Sequence, residues 1–288
     1  EHNVIASFSV EGVLKLKYNS KVRMCVTDKQ VFARGTIIIF EDNMKIMHVF
    51  MRPKFENYDS FERFYGINYD DLTQKQKGST FRKYIKFDGT NMAFLNVHGK
   101  VICLTLGADL LTLTTQYIPG HGKKTFSQLG LELLDSKIKE WLLNNPGIML
   151  VFECIHPSLR VITDYGDKEE LIFLHAIKSG SNGLCYLPAD LKEFHPVDLN
   201  TLSKEEADKH INMYPHLEGF VKVLDSGEVL DSGEQTFILF AKLKLSEYRK
   251  FQSKCPLTPY STTNDVQFVK GINYILTIIS RKGLEGAR

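Results

Sequence analysis

The sequence predicts an α+β fold, in which many short strands are accompanied by a small number of helices. Segments rich in β-branched residues recur along the first third of the chain, and again at residues 147–177 and 236–245. Such segments, bounded by turn residues, are typical of strands. One long amphipathic pattern interrupts them between Thr125 and about Asn144, and Thr125 with Gln128 forms a capping box that marks the start of a helix.

The composition is that of a globular protein with a sizeable core. The chain has 288 residues, of which 43% are hydrophobic and 24% are charged, which suits one large domain or two ordinary ones. The net charge is only +2, so any affinity for nucleic acid must come from local clusters of Lys and Arg.

The cysteines and the hydropathy pattern bear on the cellular compartment. Five scattered cysteines without a C-x-x-C pair argue against a disulfide framework and a cysteine zinc site, and indicate a reducing compartment. No apolar run approaches the roughly 18 residues of a membrane span, and no signal peptide is recognisable. We therefore expect an intracellular, cytoplasmic protein with no membrane partner, or one of the host cytoplasm or nucleus if its source is viral.

Individual elements follow from the local patterns. A short helix is predicted from Ser203 and a C-terminal helix over Asp265 to Ser280, and the near-duplicate at residues 223–234 is interpreted as a hairpin or loop. Strands are predicted at Val22–Val26, Gly35–Phe40, Lys45–Met51, Lys83–Phe87, Asn91–Val97, Val101–Leu106, Gly147–Phe152, Leu159–Tyr165, Leu171–Ile177 and Thr236–Leu245.

Lys86 stands in a short K-x-D-G string. It lies between Ile85 and Phe87 and is followed by Asp88 and Gly89. Burial beside apolar groups and a nearby cation would both favour the neutral, nucleophilic form of this amine, and the glycine allows a ligand or a second backbone to come close. The alternative is a strand that ends in an Asp-Gly turn, and the string alone does not decide.

Three further patterns carry charged groups into predicted strands. Glu153 ends a buried apolar run, where a carboxylate is costly unless it meets a cation, a metal or a ligand hydroxyl. Glu218 and Gly219 lie at the head of another strand. Lys242 and Lys244 share a face of a strand and repel each other unless an anion lies between them; the alternative is a solvated basic edge.

In this chain order the patterns resemble the covalent nucleotidyltransferase superfamily, which comprises ATP-dependent RNA and DNA ligases and messenger-RNA capping enzymes. The motifs are K-x-D-G at Lys86, the glutamate of a buried strand at Glu153, E-G-x-V at Glu218, and K-x-K at Lys242. Asn91 stands where DNA ligases and capping enzymes usually carry arginine, and G-T-N is more similar to a second branch of RNA ligases.

Within that superfamily the chain most resembles the phage-type single-strand RNA ligases, the RNA ligase 1 family, over roughly residues 30 to 250. Four strings carry this resemblance: Ala33-Arg34-Gly35, Arg52-Pro53-Lys54-Phe55, the stretch from Phe152-Glu153 through Pro157, Arg160-Val161-Ile162 and Tyr165, and Lys242-Leu243-Lys244 with Glu247-Tyr248.

The resemblance implies a fold and an activity. It implies antiparallel sheets with flanking helices and a central nucleotide cleft, with a nucleotidyltransferase domain at residues 1–250 and a helical appendage, or the start of a truncated domain, at 251–288. It implies an ATP-dependent RNA ligase that joins 5′-phosphate and 3′-hydroxyl RNA ends, including tRNA-like ends, through a lysyl-AMP intermediate in RNA repair. The alternatives are a capping guanylyltransferase, a DNA ligase, or a non-catalytic nucleic-acid-binding module.

The resemblance also implies roles for single residues. Lys86 is the nucleophile, beside Gly89, while Lys242 and Lys244 bind the α-phosphate and help to keep Lys86 deprotonated. Glu218 is an Mg²⁺ or Mn²⁺ ligand, and Glu153 binds either the ribose hydroxyls or the metal. Arg34 and Lys54 contact the β- and γ-phosphates, and Phe173 contacts the adenine. The expected partners are ATP, RNA ends, and an end-healing kinase or phosphatase, separate or fused.

Overall fold

The computed structural model of the chain describes residues 4–8, 12–18, 36–42, 44–50, 56–57, 81–105, 118, 124–180, 184–185, 189–214, 217–229, 235–245 and 248–249. The predicted strand at Val22–Val26, the predicted helix at Asp265–Ser280, and the candidate residues Arg34 and Lys54 lie outside the described residues.

The described residues form strands in far greater number than helices. The strands are β1 Val4–Phe8, β2 Val13–Tyr18, β3 Thr36–Phe40, β4 Ile46–Phe50, β5 Glu56–Asn57, β6 Phe81–Lys86, β7 Thr90–Val97, β8 Lys100–Thr105, β9 Ile148–Ile155, β10 Glu170–Lys178, β11 Leu184–Cys185, β12 Gly219–Val229 and β13 Gln235–Lys244. The helices are α1 Phe126–Leu133, α2 Ser136–Asn144 and α3 Lys204–Asn212, with short 3₁₀ turns at Pro157–Leu159, Ala189–Phe194 and Leu199–Thr201. No helix among these residues is long and apolar enough to span a membrane.

The strands make two sheets that are almost entirely antiparallel. The smaller has the order β1-β2-β3-β4, and the larger has the order β6-β12-β13-β11-β10-β9-β7-β8. The exception is β5, which pairs in parallel with β13. The predicted α+β class of antiparallel sheets with flanking helices is confirmed.

The larger sheet bends back on itself. Strands β6 and β7 are joined by residues 87–89 alone, although they lie six positions apart in the strand order, so the sheet cannot be flat. One core cluster joins Tyr84 and Val223 from one half of the sheet to Ala93, Leu95 and Met149 from the other. The same cluster contains Val13, Ile37, Ile39 and Phe50 of the smaller sheet, so one core unites that sheet with both halves of the larger one. The turn at 87–89 connects the two halves along the chain.

Helices α1 and α2 cover the opposite face of the β9–β7 half. Phe126 and Leu129 of α1 and Ile138 and Leu142 of α2 are buried in a second core cluster with strand residues such as Phe94. The Thr125–Gln128 capping box is present.

The prediction of one continuous helix from Thr125 to about Asn144 is wrong. Leu134 has an extended backbone, and the carboxylate of Asp135 accepts a hydrogen bond from the N–H of Lys137, so Asp135 caps a new helix. An Asp side chain competes with the helical backbone for its N–H groups, which favours a cap over a continued helix.

The predicted strand at Leu159–Tyr165 is also wrong. Pro157–Leu159 is a 3₁₀ turn, and an irregular loop follows it to β10. The N–H groups of Ile162 and Thr163 donate to the carboxylate of Asp88 at 2.9 and 2.7 Å. The apolar pattern here therefore reflects packing. The backbone N–H groups that would bind a neighbouring strand bind the Asp88 carboxylate instead.

The hairpin interpretation of the near-duplicate is confirmed, because β12 and β13 pair antiparallel from Gly219↔Lys244 to Val229↔Gln235. Residues 230–234 between them lie outside the described part. On its other side, β12 pairs antiparallel with β6, the strand that ends in Lys86.

Gly219 begins β12 where three strands approach closely. It pairs with Lys86 on β6 and with Lys244 on β13. Its φ is +156°, and a Cβ at this position would lie 1.9 Å from the carbonyl oxygen of Leu243. A side chain therefore cannot be added without moving backbone.

We expect Gly219→Ala to lower the free energy of unfolding by about 3 kcal/mol, because overpacking against fixed backbone displaces the strand. Urea denaturation measures this loss. Gly180→Ala is the matched control, since Gly180 also has a positive φ, +77°, but has no atom within 4 Å of the added Cβ. It should lose only about 1 kcal/mol from backbone strain, and an equal loss in both variants would contradict the steric explanation.

Candidate active site

Two lysines from separate strands share one buried carboxylate. The Nζ of Lys86 donates to Glu218 Oε2 at 2.5 Å, and the Nζ of Lys244 lies 2.8 Å from Glu218 Oε1. The pairing of Gly219 with both lysines brings them together, because Glu218 directly precedes it. The lysine side chains are 23% and 17% exposed, whereas that of Glu218 is 5% exposed.

This arrangement fixes the charge at the end of β6. A carboxylate as buried as that of Glu218 is stable only with hydrogen-bonded cations, and each of its oxygens has one. Two ammonium groups against one carboxylate leave an excess positive charge that is partly open to solvent. The site is therefore suited to an anion. Both lysines bind the same carboxylate, and the predicted role of Lys244 in keeping Lys86 deprotonated stays a prediction.

Lys242 occupies the predicted position on the backbone of β13. It pairs with Val221 on β12 and with Asn57 on β5, and its position two residues from Lys244 places it on the same face of the strand. Its side chain lies outside what the structure describes. Its phosphate-binding role stays a prediction.

Glu153 is joined to the turn that follows Lys86. Its Oε1 accepts a hydrogen bond from the N–H of Gly89 at 2.9 Å, and its Oε2 accepts one from Asn91 Nδ2 at 3.1 Å. Burial raises the pKa of Glu153 above its ordinary value, while the charge of Lys86 and these two hydrogen bonds oppose the shift. Lys86 directly precedes the turn and Glu153 binds its backbone, so two residues that are far apart in the sequence lie at the same turn.

Gly89 itself cannot carry a side chain. A Cβ there would lie 2.4 Å from the carbonyl oxygen of Cys154. The absence of a side chain at Gly89 therefore lets the backbone of the turn approach β9, the strand that carries Glu153.

Asp88 anchors the turn from the other side, although the sequence patterns assign it no role. Its carboxylate is buried; one oxygen accepts the N–H groups of Ile162 and Thr163, and the other accepts the hydroxyl of Tyr248 at 2.6 Å. The N–H of Asp88 donates to the hydroxyl oxygen of Tyr165 at 2.9 Å. The signals that could have identified this network are the acidic residue of K-x-D-G and the aromatic residue four positions after Lys244.

The two tyrosines of this network are held in their protonated form. Burial raises the pKa of Tyr248 well above its ordinary value, and the charges of Glu218 and Asp88 raise it further. Burial likewise raises the pKa of Tyr165. The raised pKa of Tyr248 agrees with its role as the hydrogen-bond donor to Asp88.

Phe173 lies on the other face of the sheet from the charged cluster. It pairs with Phe152, whereas Glu153 pairs with Ile172. Its side chain is 2% exposed and packs against Phe152, with ring centroids 5.5 Å apart, within the helix-covered core. This placement does not agree with the predicted adenine contact.

The pairing of Phe173 with Phe152 fixes this placement, and a register shift follows directly after it. The shift lies between Phe173 and His175, so the strict alternation of β10 is broken there. Leu174 and Val221 are partly buried and pack against the other core cluster, the one that contains residues of both halves of the sheet.

The described side chains do not by themselves fit a directly bound divalent metal. They contain no group of three or more His, Cys, Asp and Glu residues arranged for a metal. Both oxygens of Glu218 bind ammonium groups, and both oxygens of Glu153 accept N–H groups. The metal roles predicted for these two residues remain predictions.

The sequence matches no protein-family model, and no curated protein sequence is significantly similar to it. Similar solved structures are a putative ATP-dependent DNA ligase from Aquifex aeolicus, with a TM-score of 0.50 and 17% identity over 98% of this chain and 70% of that one. Two forms of an archaeal ATP-dependent RNA ligase have TM-scores of 0.51 and 0.52 with 14% identity, over 99% and 98% of this chain and 72% of theirs.

These similarities show that the chain has the nucleotidyltransferase-type fold of ATP-dependent ligases. The neighbours include both RNA and DNA ligases, so they do not select the phage-type RNA ligase 1 family.

We expect Tyr248→Phe to lower the free energy of unfolding by about 1–3 kcal/mol, because a buried carboxylate loses a donor that nothing replaces. Urea denaturation measures the change. Tyr214→Phe is the control, since the ring of Tyr214 packs edge-on against Phe87 and keeps that contact without the hydroxyl. If the two variants lose the same stability, the hydroxyl of Tyr248 does not hold the turn.

We expect the stability of Glu153→Gln, measured relative to the wild type, to increase as the pH rises, although the amide replaces one of the two acceptor oxygens. Because the pKa of Glu153 is raised in the folded state, the folded protein holds its proton more tightly than the unfolded chain does. Wild-type stability contributed by this group is therefore present at low pH, and it is lost as the pH rises from the ordinary value of 4.5 through the raised folded pKa.

The measurement is urea denaturation of both proteins at a series of pH values from about 4 to 8. Glu205→Gln, at an exposed site on α3, controls for the change of side chain. A difference between Glu153→Gln and the wild type that stays constant or shrinks as the pH rises would contradict the role assigned to burial.

Proposed function

We propose that this chain is an ATP-dependent ligase that joins RNA ends through a covalent AMP on Lys86. The observation that carries the proposal is the convergence of Lys86, Lys244, Glu218 and Glu153 on the turn between β6 and β7. These residues come from four distant parts of the sequence. The fold shared with ATP-dependent RNA and DNA ligases supports the same activity.

In the first step, Lys86 Nζ attacks the α-phosphorus of ATP. A nitrogen–phosphorus bond forms, the bond from that phosphorus to the bridging oxygen of the β-phosphate breaks, and pyrophosphate leaves. The ammonium of Lys86 must first lose a proton, and Glu218 Oε2, at 2.5 Å, is in place to accept it. The α-phosphate then takes the position of a charged partner for Lys244.

Two further transfers complete the reaction. The 5′-phosphate of an RNA end attacks the α-phosphorus of the lysyl-AMP, so a phosphoanhydride forms and the lysine nitrogen leaves. The 3′-hydroxyl of a second end then attacks the activated 5′-phosphate, AMP leaves, and a phosphodiester forms. In both transfers Lys244 faces charge that develops on phosphate oxygens.

The cleft supplies contacts for the nucleoside part of ATP. Glu153 is fixed by Gly89 and Asn91, and the lone pairs left on its carboxylate suit ribose hydroxyl donors. Leu174 and Val221 provide apolar surface for the adenine ring. Lys242, Arg34 and Lys54 keep the phosphate-binding roles that the motifs assign to them.

The RNA substrate rests on the motif pattern. The combination of G-T-N after Lys86 with the Glu153-to-Tyr165 stretch is typical of RNA ligases rather than of DNA ligases or capping enzymes. A role in RNA repair and an end-healing kinase or phosphatase partner belong to the same proposal. A non-catalytic module is disfavoured, because the motif residues are all present: Lys86, Glu153, Glu218, Lys242 and Lys244.

Incubation with ATP that is radiolabelled at the α-phosphate, in the presence of Mg²⁺ or Mn²⁺, should label the protein covalently. Lys86→Arg should abolish labelling while it keeps a cation beside Glu218. Lys244→Ala should reduce the labelling rate by about 100-fold or more, as expected for the loss of a charge-stabilising donor. Lys139→Ala, at an exposed position of α2, is the control and should label like the wild type.

The outcomes separate the candidate functions. Absence of label from both ATP and GTP would overturn the enzyme proposal, and label from GTP alone would favour a capping guanylyltransferase. With labelled protein in hand, sealing of single-stranded RNA in preference to a nicked DNA duplex supports the RNA ligase, and the reverse preference supports a DNA ligase.

A further inference from the structure

A pocket of about 310 Å³ adjoins the turn that follows Lys86. The turn itself, Asp88 and Gly89, forms one wall, and the end of β9 with the loop between β9 and β10 forms the rest. Gly89 connects the pocket with the charged cluster, because it lines the pocket and its N–H binds the carboxylate of Glu153.

The lining of the pocket combines apolar and charged side chains. Ile155 and Leu159 are buried members of the lining and Tyr165 is half-buried, whereas Arg160, Asp164 and Asp167 are exposed and form its rim. Arg160 Nη1 pairs with Asp164 Oδ2 at 2.7 Å, so its charge is matched within the pocket. His156, also part of the lining, accepts the N–H of Ser158 at Nδ1, and its Nε2 lies 3.3 Å from Glu169.

The balance of charge in the lining is negative. Three carboxylates, those of Asp88, Asp164 and Asp167, line the pocket with one guanidinium. A terminal phosphate group would meet like charges here, which disfavours binding. The charge of the pocket is thus opposite to that of the Lys86–Lys244 cluster, which suits phosphates.

The reaction brings together three groups: ATP, a 5′-phosphate end and a 3′-hydroxyl end. The first two carry phosphates, and the cluster of Lys86 and Lys244 matches them. The 3′-hydroxyl end carries no terminal phosphate, and its ribose hydroxyls and base amino groups are donors that carboxylates accept. The volume is within the range of pockets that hold small organic groups such as one nucleoside.

We propose that this pocket binds the terminal nucleoside of the 3′-hydroxyl strand, and that it thereby places the acceptor beside the turn that carries Lys86. The inference rests on the proposed ligase function and names the binding site of one of its substrates. Asp167 contacts the nucleoside at the rim, while the guanidinium of Arg160 stays paired with Asp164.

The test isolates the last step of ligation. A donor oligonucleotide that is already adenylylated at its 5′ end is supplied, and the concentration of a 3′-hydroxyl RNA acceptor is varied. Asp167→Trp, an exposed position that tolerates a larger side chain, fills the mouth of the pocket. We expect the KM for the acceptor to rise by about 10-fold or more, with self-adenylylation from ATP and AMP transfer to a 5′-phosphate end kept at wild-type rates. Asp208→Trp, exposed on α3, is the control and should leave all three unchanged.

A second measurement tests the charge of the pocket without adding bulk. Unreactive RNA strands that end in a 3′-deoxynucleotide or in a 3′-phosphate compete with the acceptor. In the wild type, the 3′-deoxy strand should inhibit about 10-fold more strongly than the 3′-phosphate strand, because the carboxylates repel the phosphate. Asp167→Asn should narrow this ratio, while Asp208→Asn should keep it.

The outcomes distinguish the pocket from the function. An unchanged acceptor KM in Asp167→Trp, or equal inhibition by the two strands in the wild type, would overturn the pocket assignment and leave the ligase proposal intact. A wild-type protein that takes no label from ATP but binds RNA would overturn the proposed function instead. A raised acceptor KM in Asp167→Trp together with a narrowed ratio in Asp167→Asn supports the assignment.

Discussion

The buried carboxylate of Asp88 is the interaction on which the arrangement of this protein depends. A carboxylate removed from water must have donors, and here they come from the loop after β9 and from Tyr248, beyond the end of β13. Three segments that are distant in the sequence must therefore meet at one turn. That meeting closes the two halves of the larger sheet together and fixes the position from which Lys86 emerges.

Glu218 adds a second constraint, an electrostatic one, to the hydrogen bonding of Asp88. It lies at the head of β12, and Gly219 lets β12 approach β13 without a side chain between them. The carboxylate then separates two ammonium groups that would otherwise repel each other. The geometry that supports the proposed chemistry is thus also what makes these buried and half-buried charges compatible with a folded state.

The sequence predicts local structure well and non-local structure poorly, for physical reasons. The strands from β6 to β8, β9 and β13 follow from β-branched composition, and the K-x-D-G string marks the turn. The amphipathic pattern continues across Leu134 and Asp135, so the break between α1 and α2 has only the capping tendency of Asp135 as a signal. At Leu159–Tyr165 the pattern is strand-like, but the hydrogen bonds go to Asp88, a partner that no local pattern identifies.

The candidate site shows the same division. Motif order identified Lys86, Glu153, Glu218 and Lys244, but their contacts depend on strand register, which pairs Gly219 with both lysines. The face on which Phe173 lies follows from its pairing with Phe152, and this pairing cannot be read from the sequence. The register shift before His175 then breaks the alternation along β10, so the sequence pattern does not show which of its residues share a face with Glu153. Such shifts have no reliable signature in a single sequence.

The shared carboxylate has a consequence for which molecules the site accepts. Glu218 already binds both lysines, so under the proposed function an incoming nucleotide competes with an internal anion. A compound with a single weak charge gains little by displacing this carboxylate, whereas a triphosphate offers several oxygens to the same two cations. Under that function the cluster therefore favours polyphosphates over nucleosides.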